Sequence, residues 1–184
     1  LVLSFELFAQ IRLPRLISDG MVLQRDADVH IWGWADPGEN VSIDFVEQAE
    51  ETIADETGRW IIRLEAMKAG GPYEMTIKGS NDIYVKNILM GDVWVCSGQS
   101  NMELPMERVE PRYPEIIANA DNLFIRQFYV PREYDFDQPH EDRGAWCVGL
   151  SKLDGSDGVI NCAVEIARAG TQVATRHQGP SGGT

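Results

Sequence analysis

The chain has 184 residues, 29 acidic against 16 basic, a formal charge of −13 and 43% apolar residues. That apolar share suits a folded globular chain rather than a disordered one. The acidity excludes a nucleic-acid surface, which needs a basic stripe to displace counterions, and argues against adhesion to anionic membranes. The sequence holds no run of 18 apolar residues, so no membrane-spanning helix and no membrane insertion is expected.

In chain order, residues 1–9 are mostly apolar and end in the small Ala9. They read as the end of a secretory h-region, with Glu6 the one feature against it, and predict a secreted or periplasmic protein. From residue 11 to about 85 short strands alternate with Gly, Pro and Asp turns. Strands are predicted over 21–24, 29–35, 41–46, 51–55, 60–64 and 73–78. Asp36-Pro37-Gly38-Glu39 has the order of a type II turn, with Pro second and Gly third. Residues 55–59 read as a hairpin-like connection and 69–72 as another turn. Many short strands at this spacing predict an antiparallel sandwich.

Trp32, Trp34 and Trp60 invite a sugar-stacking reading, since flat aromatic faces pack on sugar rings. Trp32 and Trp34 lie two apart and so share one strand face, and packing in the core or between domains is the expectation for them. His30 is given no role. Residues 87–90 read as a link to a strand over 91–96, in which Val93 and Val95 alternate with Trp94 and Cys96. That strand runs into Ser97-Gly98-Gln99-Ser100-Asn101-Met102, a turn able to mount a nucleophile. A serine at a strand's C-terminal end presents its hydroxyl to a crevice where free backbone N–H groups can meet an oxyanion, although serine is also a preferred helix cap. A short helix over 115–120 and a strand over 122–130, with Leu123, Ile125 and Phe128 apolar, complete a strand–helix–strand unit of the parallel kind. Cys96, Cys147 and Cys162 have no zinc spacing, so no metal site and no cofactor is expected; a Cys147–Cys162 disulfide would suit an exported protein.

Gly98-Gln99-Ser100-Asn101-Met102 resembles the first sequence block of the SGNH/GDSL hydrolases, in the variant carried by sialate O-acetylesterases and related carbohydrate esterases. Leu13-Pro-Arg-Leu-Ile-Ser-Asp-Gly-Met-Val-Leu-Gln24, Trp32-Gly-Trp-Ala-Asp-Pro-Gly-Glu39, Thr57-Gly-Arg-Trp60 and Ala69-Gly-Gly-Pro-Tyr73 resemble successive landmarks of the same family, in the same order. The resemblance spans residues 13 to about 146. It implies a β-sandwich (11–88) followed by the start of an α/β/α SGNH-hydrolase domain (89–148), after a signal-peptide remnant (1–10) and before a diverged or weakly ordered tail (149–184).

It also implies chemistry. Ser100 would be the nucleophile, and its backbone N–H part of the oxyanion hole. Ser181-Gly182-Gly183-Thr184 resembles the second family block, which would make Gly182 another oxyanion donor, although the usual preceding strand is replaced by Gln178-Gly179-Pro180. Residues 162–167 faintly resemble the helix expected before that block. The asparagine block and the terminal Asp-x-x-His are not matched within these residues. Asp137-Gln138-Pro139-His140 has the latter spacing but not its position, and reads as a solvated loop.

The expected activity is therefore that of a carbohydrate O-acetylesterase acting through an acyl-serine, present as an incomplete portion lacking its base. The expected partner is an acetylated sugar, sialic acid or a plant polysaccharide. The alternative is a non-catalytic β-sandwich module that binds carbohydrate or another partner, with Ser100 as a helix cap.

Overall fold

The computed structural model describes residues 10–95, 108, 110–118, 122–130, 144–148 and 163–165. Seven strands come first: β1 (Val22–Gln24), β2 (Val29–Trp34), β3 (Asn40–Phe45), β4 (Gln48–Ile53), β5 (Arg59–Leu64), β6 (Gly70–Lys78) and β7 (Asp82–Gly91). Helix α1 (Pro114–Ala118) and strands β8 (Ile125–Tyr129), β9 (Ala145–Val148) and β10 (Ala163–Glu165) follow.

Period-two patterning explains which faces are buried. Val41, Ile43 and Phe45 of β3 and Trp60, Ile62 and Leu64 of β5 point inward, and the residues between them are exposed or half-buried. A five-stranded sheet runs in the order β1-β7-β6-β3-β4, and β2 with β5 forms a separate ribbon. Both contribute to one apolar core, Ile31, Trp60 and Leu64 from the ribbon meeting Ile43, Phe45, Met75, Ile77, Ile88 and Met90 from the sheet. Each such side chain, fully buried, contributes about 1.5–3 kcal/mol.

Several connections differ from the sequence reading. The large sheet is mixed, because β1 pairs parallel with the end of β7, Val22 opposite Leu89 and Gln24 opposite Gly91. A parallel pair needs a long crossover, and the five intervening strands supply it. Residues 54–58 are not a hairpin: they carry the chain from β4 in the sheet to β5 in the ribbon. The Asp55 carboxylate organises that crossing by accepting from Thr57 N (2.8 Å), Thr57 Oγ1 (2.7 Å) and Arg59 N (2.9 Å). Gly70, Gly71 and Pro72 belong to β6 rather than to a turn, and the β6–β7 register shifts around Tyr73, an irregularity that accommodates a proline with no N–H to donate. The type II turn at 36–39 is present, with Gly38 at φ +81° and Glu39 N donating to Asp36 O (3.0 Å).

Residues 87–90 are not a link but part of β7, where Ile88, Leu89 and Met90 are all buried. Here β7 lies between β1 and β6, and the alternation is lost to a continuous apolar run. Beyond Gly91 the chain leaves the ladder. Val93, Trp94 and Val95, expected on a buried strand, have exposed side chains, Val95 at 85%. Helix α1 and strand β8 fall where the sequence predicts a helix and a strand. However, β8 pairs antiparallel with β9 on one edge and β10 on the other, leaving no ladder edge for a parallel partner from residues 91–96. Ala163–Glu165, within the stretch resembling a helix, is the strand β10.

Trp60 is buried, and directly across the ladder from it stands Gly33. A Cβ on Gly33 would lie 2.7 Å from the Trp60 ring and 2.4 Å from Arg12 O, so only glycine fits beneath the indole. Ile31 and Gly33 thus face the core, which turns Trp32 and Trp34 to the opposite face, where both are half-buried; Trp32 nevertheless packs against the apolar cluster, in keeping with the packing expected of it.

Candidate active site

Ser100 and Gly182 lie outside the described residues, as do Asp137, His140, Cys96 and Cys162. Cys147, in β9, is a free thiol. His30, the one histidine among the described residues, is exposed on β2. What the structure does place is the frame on either side of the serine segment.

Upstream, the exit from β7 is pinned by the loop after β1. Arg25 N donates to Gly91 O (2.9 Å), and Gln24 Oε1 accepts from Val93 N (2.9 Å). The Arg25 guanidinium forks onto Asp92, with Nε at 2.8 Å from Oδ1 and Nη2 at 3.1 Å from Oδ2. Such two-point pairing fixes orientation as well as proximity. The hydrogen bond and charge of Asp92 hold the Arg25 pKa above its ordinary value. Lys68 in turn bonds Asp26 (2.5 Å) and lowers that carboxyl's pKa.

Downstream, β8 is fastened to the first seven strands by a buried cation. Arg126 is 3% exposed. Its Nε donates to Leu123 O (3.1 Å), Nη1 to Gly20 O (3.0 Å) and Asn87 O (3.2 Å), and Nη2 to Asn87 Oδ1 (3.0 Å). These acceptors are neutral, and burial pulls the guanidinium pKa down. Asn87 can offer its carbonyl and its side chain together because it adopts a left-handed backbone, φ +59°, which asparagine tolerates better than most residues. Nearby, Trp146 Nε1 donates to Leu16 O (2.7 Å) and its ring packs against Phe128 at 5.3 Å. A groove of about 480 Å³ follows this seam, lined among others by Leu13, Ile17, Asp19, Tyr84 and Trp146.

Sequence reasoning missed both fastenings. For Arg126 the available signal was an arginine inside the apolar strand stretch Ile125-Arg126-Gln127-Phe128, where both central residues prove to be buried. Leu123, read as one of the apolar residues of a strand over 122–130, lies before β8 and is 66% exposed.

No family model matches the chain. Among curated proteins it is 33% identical over 132 residues to the sialate O-acetylesterase of Mus musculus, 36% over 128 residues to that of Homo sapiens, and 31% over 159 residues to that of Rattus norvegicus. These matches take in 65%, 62% and 79% of the chain but only 24%, 24% and 27% of the relatives, so the chain spans about a quarter of their length. A carbohydrate acetylesterase from Xanthomonas citri, known from its crystal structure, is similar with a TM-score of 0.70 and 34% identity, over 83% of this chain and 35% of that one. The stretch shared with these proteins supports the sialate O-acetylesterases and related carbohydrate acetylesterases as the family this chain resembles.

Proposed function

We propose that this chain is the amino-terminal part of a serine carbohydrate O-acetylesterase, a β-sandwich followed by the opening of an SGNH-type domain, with Ser100 as the nucleophile. The observation that carries the reading is Gly98-Gln99-Ser100-Asn101-Met102 standing just after β7 in a chain 31–36% identical to sialate O-acetylesterases. The two fastenings support it, since the segments before and after the serine are tied to the same body by Arg25–Asp92 and by Arg126. Rigid support of this kind lets a hydroxyl be held where it reacts.

In the proposed reaction Ser100 Oγ attacks the carbonyl carbon of a sugar acetyl ester while a base takes its proton. The tetrahedral oxyanion is met by backbone N–H donors, that of Ser100 and, by resemblance, that of Gly182. Collapse expels the sugar hydroxyl, which regains a proton, and leaves an acetyl-serine. Water then attacks the acyl carbon, releasing acetate and restoring Ser100. The histidine base would come from beyond the matched residues.

The test is a chimera in which residues 1–148 replace the matching segment of a sialate O-acetylesterase. It should release acetate from O-acetylated sialic acid or acetylated plant oligosaccharide and react with a fluorophosphonate probe. Ser97→Ala should keep both properties, and Ser100→Ala should lose both. Retention of labelling and deacetylation by Ser100→Ala would remove the basis of this mechanism.

A further inference from the structure

The β2–β5 ribbon has a second face, opposite the one that carries Ile31 and Trp60, whose composition is set by the ladder. Residues directly opposite one another across antiparallel strands point the same way. Trp34 is flanked on one side by Arg59, its partner on β5, and on the other by Arg12, which bridges it antiparallel from the amino-terminal segment. The Arg12 guanidinium carbon lies 5.9 Å from the Trp34 ring centroid, a cation–π arrangement. In the next row Trp32, half-buried and packed in part against the apolar core, stands beside Ile61, which is 57% exposed. In the last, His30 faces Arg63, whose charge is met by Asp28. Arg12, Arg59 and Ile61 are exposed.

Two features set this face apart. Trp32 and Trp34 are about 6.6 Å apart along one strand, so two indoles stand on one face of the ribbon. The cations are also local: the chain carries −13 overall, yet Trp34 sits between two arginines. The neighbouring carboxylate of Asp55 accepts from Thr57 and the Arg59 backbone N–H, and the Arg59 charge also acts on it. Guanidinium is the side chain best shaped for a carboxylate.

We propose that this outer face of the β2–β5 ribbon binds a carboxylate-bearing saccharide, one ring stacking on Trp32 and a carboxylate meeting Arg12 and Arg59 on either side of Trp34. The face is built from residues of the first 64 and is independent of Ser100. It gives the chain a way to hold an acidic glycan whether or not the esterase reading is right.

The test is a titration of the 184-residue chain, followed by tryptophan fluorescence and affinity electrophoresis. The probes are an oligogalacturonate, an oligosialate and a neutral cello-oligosaccharide of similar length; the two acidic arms distinguish uronic from sialic acid. At least one acidic chain should bind tenfold or more tighter than the neutral one, and added salt should weaken it. Trp32→Ala should lose binding at least tenfold and Trp32→Tyr, which keeps a stacking ring, should largely restore it. Arg12→Gln with Arg59→Gln should erase the preference for acid, and Ser100→Ala should change nothing. Equal affinity for acidic and neutral chains, no binding by any of them, or full binding by Trp32→Ala would each overturn the proposal. So would sedimentation showing that the face is buried in a dimer which Trp32→Ala disperses.

Discussion

Replacing Arg126 by methionine should loosen the seam between β8 and the first seven strands without unfolding the latter. The side chain makes four hydrogen bonds to neutral acceptors, three of them main-chain carbonyls. A hydrogen bond to a charged donor contributes about 1.5–3 kcal/mol, and an acceptor left buried without a partner costs about 1–3 kcal/mol. Against this, a guanidinium taken from water carries a desolvation cost of several kcal/mol that methionine does not. Methionine also keeps most of the stem's apolar contact. The opposing effects leave a net loss of about 2–3 kcal/mol, which is about a 30- to 150-fold rise in local opening. Amide hydrogen exchange reads this directly. Gln127, Phe128 and the Trp146 indole N–H should lose protection by that factor, whereas Ile43 and Ile77, in the core of the large sheet, should be unchanged. Protection at β8 within threefold of the parent would show that the carbonyls find water at no cost, and the clamp argument would fail. Loss at Ile43 equal to that at Gln127 would show that the seam is not a separate cooperative unit.

Two further outcomes follow from named contacts. Gly33→Ala should destabilise the chain by about 1–3 kcal/mol, since its Cβ would press on Arg12 O and the Trp60 ring. Trp60→Ala alone should cost about 3–5 kcal/mol. The double variant should cost less than the sum, because one of the two clashes has gone with the indole, and urea midpoints of the three variants check it. The second outcome concerns acid. The Thr57 hydroxyl, then the Arg59 and Thr57 N–H groups, hold the Asp55 carboxyl below its ordinary pKa. A depressed carboxyl contributes stability that is present above its unfolded value, near 4, and is lost as pH falls through the folded value. Asp55→Asn should therefore flatten the acid limb of a urea-midpoint curve below about pH 4 and leave its slope above pH 5 unchanged.

Where the fold was legible in the sequence, one face of a strand was wet. Val41, Ile43 and Phe45 alternate with polar neighbours because β3 has one face on the core, and the turn at 36–39 was readable because Pro37 and Gly38 fix its dihedrals. The end of β7 was misread as a link for the opposite reason: with β1 and β6 on either side, Ile88, Leu89 and Met90 are all buried and no period remains. For Trp32 and Trp34 the period told that they share a face but not which one. Gly33, the smallest residue set against the bulkiest, decides that Trp60 is seated on the other side. The Gly98–Met102 motif can be recognised because its residues are contiguous, whereas the fastenings of the flanking segments cannot, because they are made over long sequence separations. Arg126 reaches Gly20, 106 positions earlier, and Trp146 reaches Leu16 across 130. In both, the acceptor is a main-chain carbonyl, a group every residue carries, so no residue type at position 16 or 20 could announce the contact. A contiguous pentapeptide can thus be recognised at sight, while the contacts that fasten the segments on either side of it depend on backbone atoms that leave no mark in the alphabet of side chains.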